Sequence, residues 1–137
     1  MDKKTHGKII SALRKLTYAY PPRNEVKKAA KVAAATYKCQ SCEDIIYEGK
    51  KDLEKTGLLE EYPDVKKGKM NIDHIDPVIP ITGFANTEWD WNEYMENMFC
   101  DSDKLQCICS VCHKAKSAEE AKQRAAYRKS KKSLDSK

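Results

Sequence analysis

Two Cys-x-x-Cys pairs are the feature that most limits how this chain can fold. They lie far apart in the sequence, as Cys39/Cys42 and Cys109/Cys112. Four thiolates form the closed tetrahedral shell that Zn²⁺ prefers in structural sites. Core cysteines or a redox pair are the alternatives, but a redox motif is not expected twice in one short chain. The spacing therefore predicts one structural zinc ion that joins two distant turns.

The composition agrees with a domain that needs a structural metal ion for stability. Charged residues make up 34% of the 137 residues and aromatic residues 8%, so the apolar core is modest. The apolar run near the start, Ile9-Ile10, is too short for a signal peptide or a membrane span, so we expect a cytoplasmic protein with reduced thiols. Cys100 and Cys107 have no partner at ligand spacing and are predicted to be buried apolar residues.

Charge is segregated along the chain. Residues 1–38 contain ten basic and two acidic residues (net +8), residues 39–113 seven and sixteen (net −9), and residues 114–137 nine and three (net +6). Basic ends around an acidic middle are typical of a protein whose ends bind a polyanion and whose centre binds cations. Solvated helix faces without any partner are the alternative explanation.

The N-terminal part is predicted to be helical. Apolar residues recur at helical spacing over residues 5–19, and Pro21-Pro22 ends that helix. A second helix, capped by Asn24, is predicted to continue to Ala35. The two helices would form a basic arm, residues 1–36. After the first cysteine pair, residues 43–69 are predicted to be a polar loop with a short helix around residues 53–61.

The rest of the chain is predicted to be a hairpin with helices. Residues 70–75 and 105–109 alternate between apolar and polar positions and are predicted to pair as two strands, with an amphipathic helix between them. A final helix is predicted from His113 to about Lys129, and a disordered basic tail over residues 130–137. The predicted fold class is a small α+β arrangement.

Asp73 and His74, at the end of the first predicted strand, form a candidate hydrolytic pair. Such a site needs an oxygen ligand for a hard cation and an imidazole that can take a proton from water. Adjacent strand residues point to opposite faces, so the two can approach one site only at a twisted strand end or a bulge. His113 directly follows Cys112, and a histidine beside a rigid metal site is a preorganised ligand.

The sequence resembles the HNH endonuclease family through several motifs taken together. The segments DHIDPV, LQCIC and CHKAKS match the family's Asp-His, Leu-Gln and Cys-x-x-Cys-His elements and its lysine-bearing final helix. The segments SALRKL, YPPR, YKCQSC and TGF…W…Y…MFCDSDKLQ are similar to the small HNH proteins of tailed bacteriophages. The resemblance covers residues 11–120, which is most of the chain.

The resemblance implies a ββα-metal hairpin-helix core over residues 37–129 that includes the four-cysteine zinc site. Asp73 and His113 would bind one catalytic divalent ion, such as Mg²⁺ or Mn²⁺, and His74 would be the general base. Some relatives carry another ligand where this chain has Ser117, so the ion would have two protein ligands. The implied activity is hydrolysis of DNA phosphodiester bonds, by nicking or double-strand cleavage. The relatives also suggest phage DNA processing or packaging beside a terminase, in the host cytoplasm.

The sequence departs from the family at one position. The middle asparagine of the HNH pattern, nine residues before the last histidine, is Lys104 here. Lysine has no acceptor, so Asp101, Asp103 or backbone groups would have to brace the hairpin loop, unless Lys104 contacts a phosphate instead. Further DNA phosphate contacts are expected on the final helix, from Lys114, Lys116, Lys122, Arg124 and Arg128.

Two other functions remain open at the level of sequence. A zinc domain that binds nucleic acid through its basic ends but has lost catalysis is favoured by the Lys104 departure. An adaptor whose basic arm docks an acidic protein partner is the other, and it predicts no salt-sensitive affinity for DNA. We expect a monomer without a membrane partner.

Overall fold

Two helices joined by a short corner form the N-terminal part of the protein. The computed structural model describes residues 1–84 and 88–135. Helix α1 (Lys3–Thr17) begins after Asp2, whose carboxylate accepts a hydrogen bond from the Thr5 amide at 2.7 Å. This contact satisfies one of the amides that a helix start leaves without a partner. Helix α1 agrees with the predicted first helix.

Helix α2 (Pro21–Ala30) begins and ends earlier than predicted. It begins at Pro21 and not after Asn24, because the fixed φ angle and missing N–H of proline suit the first helical position. It ends before Ala35, because residues 31–33 pair with the next segment as a strand. Strand pairing outweighs the helix preference of alanine, which is worth less than about 1 kcal/mol per residue.

The first sheet has four short strands in the order β1-β2-β3-β4. Strands β1 (Lys31–Ala33), β2 (Thr36–Lys38) and β3 (Ile45–Tyr47) are antiparallel, and β4 (Lys66–Lys67) joins β3 in parallel. Strands β3 and β4 lie in the predicted loop, and they are too short to show alternation in the sequence. Between them are a 3₁₀ turn, Leu53–Lys55, and helix α3 (Leu58–Glu61), near the predicted short helix.

The second sheet is the predicted hairpin. Strands β5 (Met70–His74) and β6 (Leu105–Cys109) are antiparallel, with His74 opposite Leu105 and Asp73 opposite Gln106. Helix α4 (Trp91–Met98) and a 3₁₀ turn, Ser102–Lys104, lie between the strands. The class of the fold is therefore α+β, as predicted.

Helix α5 (Ser110–Asp135) follows β6 directly and is longer than predicted. It begins before His113, so Cys112 lies in its first turn and the second cysteine pair does not form a separate knuckle. It also continues past Lys129, so the part of the predicted tail up to Asp135 is helical, while residues 136–137 lie outside the described part of the chain. None of the helices described is long and apolar enough to cross a membrane.

Two apolar clusters hold these elements together. One lies under α2 and the hairpin, and it contains Val26, Cys100, Leu105, Cys107 and Ile108. Cys100 and Cys107 are thus buried, as predicted, and burial raises the pKa of Cys107 to about 11. Since Val26 belongs to this cluster, the predicted N-terminal arm is packed on the hairpin.

The second cluster lies beneath α1 and α4. Its buried members are Phe84, Tyr94 and Met98, and Trp89 and Trp91 pack against them. Two helices that are far apart in the sequence pack together here. The cluster fixes the position of α4, which supplies a contact to the site described next.

Candidate functional site

Four cysteine side chains from two distant parts of the chain meet at one place. The Sγ atoms of Cys39, Cys42, Cys109 and Cys112 all lie within 4.8 Å of one another. Over residues 1–84 and 88–135, this is the one group of three or more His, Cys, Asp or Glu side chains close enough to share an ion. The thiols are the ligands that Zn²⁺ prefers. The predicted four-cysteine cluster is therefore formed, and it can hold a metal ion such as zinc.

Backbone amides surround the innermost thiol of this cluster. The amides of Ser41 and Cys42 lie 3.4 Å from Cys39 Sγ, and the Cys109 amide lies 3.3 Å from it. Burial raises the pKa of Cys39, but these three donors outweigh it and lower the pKa to about 7. Burial and the neighbouring thiols raise the pKa of Cys42 to about 12. A bound cation would instead lower the pKa of Cys42, because a coordinating thiol is deprotonated.

The first cysteine turn is also attached to the hairpin by Gln40. The backbone amide of Gln40 donates to the carbonyl of Cys107 at 2.9 Å, and its side-chain oxygen accepts from the backbone amide of Cys107. The turn therefore continues the hydrogen-bonding edge of β6. This attachment places Cys39 and Cys42 beside Cys109 before any ion is considered.

A cleft of about 820 Å³ lies beside the hairpin. It is lined by residues of α1, α2, β5, α4 and α5, and by the loop that follows β5. Asp73, His74 and His113 all contribute to its lining. Asp73 and His74 are the last two residues of β5, as predicted, and all five residues of this strand line the cleft.

The ring of His74 is held by the end of α4. Its Nε2 atom lies 2.9 Å from the carbonyl oxygen of Met98. A carbonyl can only accept a hydrogen bond, so Nε2 carries the proton and Nδ1 has the free lone pair. This contact fixes the tautomer that a proton acceptor needs.

Asp73 has two differently engaged oxygen atoms. Its Oδ2 atom lies 2.9 Å from Lys116 Nζ and accepts from Gln106 Nε2 at 3.1 Å. Its Oδ1 atom lies 3.8 Å from His113 Nε2, on the first turns of α5. Two ligand bonds of about 2 Å to one ion span at most about 4 Å, and the separation of these two atoms is within that limit. Asp73 and His113 therefore fit a two-ligand cation site.

Lys116 was predicted to contact DNA phosphate, but the structure gives it internal partners. Besides Asp73, its ammonium group contacts Glu120 Oε1 and donates to the carbonyl of His74 at 2.8 Å. Only 24% of the side chain is exposed. Three oxygen atoms surround the ammonium group, which has three N–H donors. Each donor of Lys116 therefore has a partner within the protein.

Arg124, also predicted as a DNA contact, has hydrogen-bond partners within the protein. Its guanidinium donates to the carbonyl of Ile79 at 2.6 Å and to that of Pro80 at 3.4 Å. It therefore joins α5 to the loop after β5. The other predicted contacts are exposed, and they lie outside the lining of this cleft: Lys104, Lys114, Lys122 and Arg128.

Backbone groups brace the hairpin at the position where the family pattern has asparagine. The Lys104 amide donates to the carbonyl of Asp101 at 3.1 Å, and the Lys104 carbonyl accepts from the Ile75 amide at 3.0 Å. The predicted backbone bracing is therefore present, and it does not use the lysine side chain. The ammonium group stays at the surface, near a smaller pocket that His74 also lines.

Comparisons with known proteins assign no role to the residues of this cleft. No protein-family model, curated protein or solved structure matches the chain. The cleft nevertheless combines an oriented imidazole, a carboxylate–imidazole pair and a lysine held by two carboxylates. These groups can accept a proton, bind a cation and balance charge, respectively.

Two residues that bond to the side chains of this site were not predicted from the sequence. Glu120 follows Lys116 by one helical turn, and an i, i+4 pair of opposite charge was available as a signal. Gln106 was noted only as part of a motif, although its position opposite Asp73 follows from the hairpin register. Both residues hold other side chains in place.

Proposed function

We propose that this protein is a metal-dependent HNH endonuclease that hydrolyses DNA phosphodiester bonds. The observation that carries the proposal is the shared cleft of Asp73, His74 and His113, with the His74 tautomer fixed by Met98. His74 Nδ1 is the atom that takes a proton from the attacking water. The β5–β6 hairpin followed by α5 supports a ββα core for this site.

The remaining residues hold the reactive groups in position. Asp73 and His113 would bind the catalytic Mg²⁺ or Mn²⁺, and Gln106 keeps the Asp73 carboxylate oriented. A divalent ion there supplies positive charge that offsets the growing charge of the scissile phosphate and the leaving oxygen. The four-cysteine cluster, loaded with structural Zn²⁺, fixes the start of α5 and with it His113.

The test is conversion of supercoiled plasmid by zinc-loaded protein with Mg²⁺ or Mn²⁺, compared with His74→Ala and His74→Gln. Glutamine keeps an N–H donor for the Met98 carbonyl but cannot accept a proton near neutral pH. Both variants should lose about 100-fold or more in rate, which is the usual contribution of a general base. Glu119→Gln, an exposed change on α5 outside the cleft lining, is the matched control and should cleave as wild type.

A nucleic-acid-binding zinc domain without catalysis is the second candidate, and Lys116 favours it. The ammonium group lies 2.9 Å from Asp73 Oδ2, where it competes with a divalent ion for the carboxylate. This candidate predicts DNA binding without added Mg²⁺ or Mn²⁺ and no strand breaks with either ion. Absence of cleavage by folded, zinc-loaded wild type would replace the nuclease with this candidate.

The similarity to small proteins of tailed phages extends the proposal to phage DNA processing beside a terminase. A direct interaction would appear as co-elution of the purified chain with terminase subunits. Independent elution of the two would remove the partner while leaving the cleavage chemistry unaffected.

A further inference from the structure

The corner between α1 and α2 lines the same cleft as Asp73 and His113. Arg14, Tyr18 and Arg23 all contribute to this side of the cleft. Arg14 lies on α1, Tyr18 follows the end of α1, and Arg23 lies on the first turns of α2. Two cations and an aromatic ring therefore lie beside the proposed catalytic groups.

The two arginines differ from the lysines of the cleft in their partners. Lys27 pairs with Glu48 at 2.9 Å, and Lys116 pairs with Asp73 and Glu120. In the described part of the chain, neither Arg14 nor Arg23 has a carboxylate partner. Arg14 does interact with the Tyr94 hydroxyl, and this interaction opposes the rise in the pKa of Tyr94 that burial causes. A guanidinium has five donors in a planar fork that matches phosphate oxygen atoms. The positive charge left available in this cleft is therefore suited to an anion.

Tyr18 adds a surface for an aromatic ligand. Tyr18 is 71% exposed, whereas Phe84, Tyr94, Trp89 and Trp91 lie in the second apolar cluster. The Arg23 guanidinium carbon lies 5.2 Å from the centroid of the Tyr18 ring. This cation–π contact orients the guanidinium without using its hydrogen-bond donors. An exposed ring beside an arginine is the arrangement on which an unpaired base stacks.

We infer that this corner is a nucleotide subsite for an unpaired stretch of the DNA strand. Tyr18 stacks with a base, and Arg14 and Arg23 bind the adjacent phosphates. Stacking on Tyr18 requires a base that has left its duplex, so the cleft prefers single-stranded or frayed DNA. The inference rests on the proposed function for its choice of DNA as the ligand.

The test measures binding by fluorescence anisotropy, with zinc-loaded full-length protein and no added Mg²⁺ or Mn²⁺. The probes are a labelled single-stranded oligonucleotide and a hairpin duplex of matched length. Tyr18→Ala should weaken single-strand binding by about fivefold or more and duplex binding by less than about twofold. Tyr18→Phe keeps the ring and should bind as wild type. Tyr127→Ala, which removes a partly exposed ring outside the cleft lining, is the matched control.

The arginines are tested by the salt dependence of the same binding. Arg23→Ala should reduce the slope of log affinity against log salt concentration by about one, as expected for one lost phosphate contact. Lys28→Ala removes an equal charge from the exposed side of α2, outside the cleft lining, and should change the slope less.

The outcomes separate this subsite from the nuclease itself. Equal losses on both probes, or no loss for Tyr18→Ala, would overturn the subsite even if the wild type cleaves DNA. Tyr18-dependent single-strand binding by a chain that never cleaves would support the subsite and refute the nuclease.

Discussion

Lys116 shows how one residue can balance the charge of the cleft. Burial lowers its pKa, but hydrogen bonds and charge interactions with Glu120 and Asp73 outweigh this and raise it. A lysine with a raised pKa contributes stability that is fully present below its unfolded value of about 10.5 and is lost only above it. The ammonium group is therefore charged at neutral pH and compensates two carboxylates.

Replacement of Lys116 by methionine should lower stability and raise the response to divalent ions. Asp73 and Glu120 would face each other without a counter-ion, at a cost of about 1–3 kcal/mol in the free energy of unfolding. An added divalent ion would replace the lost charge. We expect Mg²⁺ or Mn²⁺ to raise the Tm of Lys116→Met more than that of wild type, measured by thermal unfolding.

The matched control is Lys114→Met, which changes an exposed lysine on the same helix. It should leave both Tm and the ion response as in wild type. Equal ion responses for Lys116→Met and wild type would show that Lys116 does not occupy the cation-binding position.

At the scale of elements, α5 connects three parts of the site. Its first turn supplies Cys112 to the metal cluster, and the next positions supply His113 and Lys116 to the cleft. Farther along, Arg124 holds the carbonyls of Ile79 and Pro80. A single helix thus sets the distances between the cysteine cluster, the Asp73–His113 pair and the loop after β5.

Replacement of Arg124 by methionine should loosen this loop and leave the cysteine cluster intact. Two carbonyls would lose a charged donor, which costs about 1–2 kcal/mol when they are partly buried. We expect faster amide hydrogen exchange in residues 76–83, with unchanged exchange in β6. Arg128→Met, one turn farther along α5, removes an exposed arginine as the control. Identical exchange in both variants would contradict the proposed connection.

At the scale of the whole molecule, the cysteine cluster joins the two sheets. Cys39 follows β2 of the first sheet, and Cys109 ends β6 of the second. A metal ion at this junction contributes its binding free energy to folding, because the unfolded chain has no preformed site. A metal ion bound there would therefore stabilise the fold and also hold the start of α5, which carries His113.

Loss of one cysteine ligand should weaken zinc binding and lower the stability of the fold. We expect Cys112→Ser to bind far less than the single zinc ion expected for wild type, with a lower Tm. Cys100→Ala changes a buried cysteine outside the cluster and should keep its zinc. Atomic emission measures the zinc content of the two variants and of the wild type. Full zinc occupancy in Cys112→Ser would exclude a four-thiolate site.

Zinc affinity should fall as the pH is lowered. The pKa of Cys39 is lowered to about 7, whereas burial and neighbouring thiols raise the pKa of Cys42 to about 12. Burial likewise raises the pKa of Cys109. Between pH 8 and pH 6 at least two thiols must release protons to bind zinc, so the apparent Kd should rise by about 100-fold or more per pH unit as the pH falls. Competition with a chromophoric chelator measures this slope, and a flat profile would contradict it.

The sequence by itself determined the local features of this protein. The cysteine spacing predicted the four-cysteine cluster, and alternation over residues 70–75 and 105–109 predicted the hairpin that became β5 and β6. Helical periodicity predicted α1, and helix-forming residue types predicted most of α5. These features depend on residue types at short spacing, so they can be read without knowledge of the fold.

Only the tertiary structure decided which charged groups are available to a ligand. Lys116 and Arg124 were predicted as DNA contacts, yet they bond within the cleft and to the loop after β5. Arg23 and Tyr18 drew no prediction, and the corner between α1 and α2 brings them to the cleft. Strands β3 and β4 were missed for a related reason. A charge or a short strand takes its role from partners distant in sequence, and their distances are set only when the chain packs.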